Sequence, residues 1–195
     1  MKRGFLLFLM IAGLTICAPA QSKASKQKSK APAAGPGNIP TTIADSVGNN
    51  MKFIEGSFLG VAEAMPENKY DFIPTGGNFE GVRSFGEQVK HVACGNEAWA
   101  KQMSGEKPPA RCDLGGPNPA KTKTEIMAYL KESFQAIDKV IAETNDKNLL
   151  HPNPGQYWGP NRLSGLTATV WHISDHYGQL VVYLRMNGIV PPASK

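Results

Sequence analysis

The sequence predicts an all-α protein folded as a single four-helix bundle, and three observations carry that expectation. Apolar residues recur at alternating spacings of three and four in four separate segments after Pro40, the period of a helix with one buried face. No segment alternates with period two over a useful length. Each periodic segment is about 20 residues, ~30 Å of helix, and four such rods around one core make a bundle. A chain of 195 residues that is 41% hydrophobic and 19% charged carries enough apolar material for one such core.

The first 40 residues stand outside that pattern. Lys2 and Arg3 precede the apolar run GFLLFLMIAGLTIC, which suits a signal peptide but is shorter than the ~20 residues of a spanning helix. Ala18-Pro19-Ala20 then offers a cleavage signal, so residues 1–20 are expected to be a signal peptide cut after Ala20. The mature protein is expected to be secreted or periplasmic, with no transmembrane span left in it. A lipid on Cys17 is the alternative, although bulky Ile16 stands where a small residue is usual. Residues 21–40, rich in Lys, Ser, Ala, Gly and Pro, read as a disordered linker, and residues 41–195 as the folded domain.

Each helix follows from its own stripe. Ile43, Val47, Met51, Ile54, Phe58, Val61 and Met65 form the first, stopped at Pro66. Val82, Phe85, Val89, Val92, Trp99 and Met103 form the second, interrupted by Asn96 and closed by SGEKPP. Thr122 and Glu125 make a capping box for the third, whose stripe is Ile126, Leu130, Phe134, Ile137 and Ile141. The fourth carries Leu166, Val170, Ile173, Tyr177, Leu180 and Leu184, with Gly188 and Pro191-Pro192 as its stop.

Charge argues against a nucleic-acid partner. The net +5 comes from the N-terminal stretch, where six Lys and Arg residues meet no acid; beyond position 40, 15 basic residues face 16 acidic ones. A near-neutral domain has no surplus from which to build a phosphate-binding surface.

Histidine spacing points to the chemistry. His172 and His176 are four apart on the fourth helix, with Cβ atoms ~5–6 Å from each other, close enough for both rings to reach one ion. Their row, with Gly165, Thr169, Gln179 and Tyr183, runs beside the apolar stripe. His91 lies similarly on the second helix, in a row with Ser84, Gln88, Gly95 and Ala98, whose small members would let another helix approach closely. If the rows face each other, three imidazoles converge and at least one coordination position stays open. Ile173 stands where a zincin protease has its glutamate, which excludes that class. On pattern alone, edge histidines paired to neighbours are the competing reading.

The segment HISDHYGQLVVYLRMNGIVPP, with FGEQVKHVACGNEAWAKQMSGEKPP upstream, resembles the DinB-like family of bacterial four-helix metalloproteins over roughly residues 41–194. The resemblance implies a divalent metal held by His91, His172 and His176, and a homodimer in many members. It also brings in thiol-dependent S-transferases and an isomerase as relatives. Imidazole ligands favour zinc, with nickel, iron or manganese as alternatives. Such an ion could activate water or a thiol, so a metal-dependent hydrolase and an S-transferase compete, each acting on an unidentified small-molecule substrate. Export weighs against the thiol role. A non-catalytic metal or small-ligand binding protein is the reading from another class.

Further candidates stand around the three rings. Glu87 and Gln88, one turn before His91, could orient its ring or act as base, and Asp175 could bond a ligand ring; solvated surface positions are the alternative for both acids. Tyr183 is packing or pocket lining. The loop HPNPGQYWGPNR, with Tyr157 and Trp158, is the expected place for substrate contacts, and its His151 is a capping or surface residue before it is a fourth ligand. Cys94 and Cys112 either form a disulfide or leave Cys94 as a free thiol one turn after His91.

Overall fold

The computed structural model describes residues 39–153 and 159–195. The expected signal peptide, nearly all of the linker, and Tyr157 and Trp158 fall outside those residues. Contacts divide the chain into Met1–Ala33 and Ala34–Lys195, and the described helices belong to the second unit.

Four helices account for that unit, as the periodicity predicts: α1 (Ile43–Ala64), α2 (Phe85–Ser104), α3 (Lys123–Ala142) and α4 (Arg162–Met186), with single 3-10 turns at Glu67–Lys69 and Pro192–Ser194. Each of the four α-helices is capped at its start by a side-chain oxygen. Thr42 accepts from Asp45 N, and Ser84, Thr122 and Asn161 each close a reciprocal box with the residue three positions on. α2 ends at Gly105, whose φ of 77° is the left-handed conformation that glycine adopts without a Cβ penalty.

The stripes meet in one core. Met51, Phe58, Phe85, Trp99, Leu130, Phe134, Ile137, Leu166, Ile173, Leu180 and Leu184 are fully buried there. α2 packs against α3 and α4, and α1 packs against the other sides of the same two helices, so the rods close into a ring with α2 beside α4. Among the described residues, no helix is long and apolar enough to cross a membrane.

Two positions depart from the sequence expectation. Val82 lies in the loop before α2, its N–H donating to Phe79 O at 3.3 Å, because Ser84 caps the helix and fixes its first residue as Phe85. Ile43, placed in the apolar stripe by spacing, is 58% exposed, since a first-turn residue has no preceding turn to seat it against the core. Asn96, which interrupts the α2 stripe, is buried and donates to Ser133 Oγ on α3 at 3.4 Å.

Candidate metal centre

The α2–α4 seam is a close one, and small residues make it so. On α2, Gly95 faces the His172 ring: a Cβ there would stand 3.0 Å from His172 Cε1. On α4, Gly165 faces the Trp99 indole, where a Cβ would overlap the ring. With both positions reduced to backbone, the two histidine rows come into contact, as the small members of the α2 row suggest.

His91, His172 and His176 then converge. Their ligand-capable nitrogens all lie within 4.8 Å of one another, and the ring centroids are 4.7 to 5.1 Å apart. His172 Nε2 and His91 Nε2 are separated by 3.1 Å. Two nitrogens bound at ~2.0–2.1 Å to one tetrahedral ion stand about 3.3 Å apart, so this spacing already suits a shared cation. His172 and His176 are buried, and His176 Nδ1 is a buried nitrogen with no hydrogen-bond partner. Three imidazoles at this spacing, two of them buried, are a donor set that a divalent ion would accept. The three side chains could hold a metal ion.

Electrostatics keep the cluster neutral. Burial, reinforced by the neighbouring rings, holds His172 down at about 3 and His176 at about 4. Burial also lowers His91, partly opposed by its bond to a carbonyl. Arg83 adds to the depression at all three rings. At neutral pH the rings therefore offer lone pairs and not positive charges.

The group that orients His91 differs from the expected ones. Cys112 O lies 2.7 Å from His91 Nδ1; a carbonyl can only accept, so Nδ1 carries the proton and Nε2 is left unprotonated, its lone pair toward His172. Glu87 is committed elsewhere: its Oε2 accepts from Ser84 N at 2.8 Å in the α2 capping box, which takes it out of contention as ring orienter. Gln88 Nε2 instead donates to Gln179 Oε1 at 2.6 Å, and Gln179 Nε2 to Asp175 Oδ2 at 2.9 Å, a short chain across the seam. Asp175 ends it, on the exposed side of α4.

The remaining expectations resolve one by one. Tyr183 packs edge-on against Phe72 and donates its hydroxyl to Arg83 O at 3.0 Å, a packing residue with its polar tip satisfied. His151 is exposed in the loop before α4 and is outside the imidazole cluster. Cys94 and Cys112 are joined in a disulfide, so the free-thiol alternative falls. The sequence reading missed Arg83, which donates its Nε to Asp113 O, and missed the Cys112 carbonyl. A backbone oxygen leaves no signature in residue type, and Arg83 sits before its helix, where periodicity says nothing.

A family model described as the DinB superfamily matches residues 53–180, a span that holds all three histidines. No curated protein matches the chain.

Proposed function

The chain belongs to the DinB superfamily, and on that premise we propose that it is an exported metal-dependent protein whose ligands are His91, His172 and His176 and whose chemistry is that of a hydrolase. The observation that carries the reading is the convergence of three uncharged imidazoles from two helices, with nitrogens within 4.8 Å of one another. The superfamily includes metal-binding proteins. Zinc is the ion the donor set favours, with nickel, iron and manganese as the alternatives an imidazole site accepts.

Bound there, a divalent ion would supply a Lewis acid that makes water or a thiol nucleophilic near neutral pH. The chain does the rest. His172 and His176 present neutral nitrogens from one face of α4, and Cys112 O keeps the proton of His91 on Nδ1. Arg83, which donates to Asp113 O in the loop between α2 and α3, contributes positive potential at the rings and would favour a negatively charged substrate group.

Export rests on the basic, apolar and A-x-A order of residues 1–20, followed by the linker 21–40 and the domain 41–195. The Cys94–Cys112 bridge supports it, because such bonds persist in oxidising compartments. That setting favours water over a small thiol as the activated group, which ranks the hydrolase before the S-transferase. A homodimer belongs to the same proposal, supported by the stripe of Trp171, Val182 and Met186 exposed along α4.

Metal analysis of wild type beside His172→Ala tests the centre. About one ion per chain in wild type, lost in the variant with helicity retained, is the expected result; equal metal content in the two would end the reading. A panel of esters, amides and thiol acceptors on the metal-loaded protein then separates the chemistries. Turnover of esters or amides without added thiol supports the hydrolase, thiol-dependent turnover the S-transferase, and no turnover a binding protein.

A further inference from the structure

The segment from Gly105 to Thr122 does more than connect α2 to α3. It folds back along α2 as a strap over the turn that carries His91. Lys90 Nζ donates to Asn118 O at 2.9 Å, His91 Nδ1 to Cys112 O at 2.7 Å, and Cys94 is bonded to Cys112. Gly115 and Gly116, at φ 90° and 71°, let the strap lie against the side chains of Lys90 and Cys94, where any Cβ would collide. So Cys112 reaches α2 twice. Its sulfur is bonded one turn past His91, and its carbonyl orients the His91 ring.

Little else holds the strap down. Within the strap only Gly115 and, at its far end, Ala120 are buried, and Leu114, its large apolar side chain, is 65% exposed. Arg83 and Lys90 each give it one hydrogen bond from a half-buried side chain. The covalent bond is therefore the dominant restraint on where the Cys112 carbonyl sits.

We propose that the Cys94–Cys112 disulfide is a positioning device for the metal centre: by pinning Cys112 O against His91 Nδ1 it fixes the ring's tautomer and direction, so that metal affinity depends on the oxidation state of this cysteine pair. The inference rests on the three-histidine reading. Reduction by a dithiol would proceed with balanced bookkeeping of atoms: the dithiol gives up two electrons and two protons and closes to its own disulfide, while the Sγ–Sγ bond breaks and Cys94 and Cys112 become thiols. The freed carbonyl then leaves His91, whose Nε2 no longer stays the unprotonated nitrogen. Linkage makes the effect reciprocal, so a bound ion would make the bridge harder to reduce.

The test compares wild type with a Cys94→Ser, Cys112→Ser double variant, which removes the bridge without leaving a thiol to bind metal. Two readouts are taken: affinity for cobalt(II) followed by its absorption spectrum, and the ¹⁵N signature of the His91 tautomer in metal-free protein. The expected result is one Nδ1–H tautomer in wild type, a mixture in the variant, and affinity weakened roughly 10- to 100-fold, the range seen when a ligand's outer hydrogen-bond partner is lost. Wild type that binds cobalt, beside a helical variant with equal affinity and the same tautomer, overturns this proposal alone. Wild type that binds no cobalt overturns the metal reading and this proposal with it. Should the variant lose helicity, phosphine-reduced wild type is read by the same tautomer signature, and an unchanged signature there also overturns it.

Discussion

α2 carries polar groups on both of its flanks, and the two sets differ in kind. Toward α3 the polar groups answer one another: Tyr129 donates its hydroxyl to Glu97 Oε2 at 2.7 Å, and Lys101 donates to Glu97 Oε1 at 2.6 Å. Toward α4 the groups are three imidazoles of one kind, brought together where Gly95 and Gly165 let the helices approach. The first arrangement pairs charge with polar hydroxyl and needs no ligand, although Asn96 Oδ1 on the same flank is left without a partner. The second stays incomplete until something shares the lone pairs, which marks a site and not a seam.

The largest expected difference between the flanks appears in acid. His172 at about 3 and His176 at about 4 lie far below the ordinary value of 6.5, so between those limits the unfolded chain binds more protons than the folded one. Stability of the metal-free protein is therefore intact above pH 6.5, falls as pH drops through the window, and levels off below about 3. Between pH 7 and pH 4 the midpoint of thermal denaturation should fall further in wild type than in a His172→Ala, His176→Ala variant, by on the order of 10 °C. Equal falls would erase the contrast, because the α4 flank would then carry no protonation penalty of its own.

Next in size is the close approach itself. Gly165→Ala gains ~1 kcal/mol of helix propensity but forces a methyl into the Trp99 indole, and overpacking should leave a net loss of about 1–3 kcal/mol, read as a lower urea midpoint. A variant as stable as wild type would show that the seam has room to spare. The smallest effect belongs to the α3 flank. Tyr129→Phe removes one hydrogen bond to Glu97 and should cost about 1 kcal/mol while the metal content per chain stays the same. Metal lost from this variant would mean that the two flanks are coupled through α2.

Much of this was legible before any coordinates. Spacings of three and four placed all four helices, Thr122 and Glu125 marked the α3 cap, and His91, His172 and His176 were picked out by row and by resemblance. Other features were not. Glu87, one turn before His91, was a candidate to orient its ring, yet the α2 cap claims its carboxylate first; a local bond three residues away forms at little entropic cost. The strap was hidden because its contacts run through backbone oxygens and glycines, whose chemistry does not depend on the side chains a pattern is read from.

Sequence alone determined the local and periodic parts of this protein: helix, cap, apolar face and the angular position of each imidazole, all set by neighbours within a few turns. Tertiary structure decided which rows met, that Cys94 joined Cys112, and which oxygen turned the ring of His91. The physical reason is range. Helix geometry repeats every 3.6 residues and fixes faces from nearby residues, whereas a contact across 21 positions of chain depends on where a glycine-bearing strap finally comes to rest.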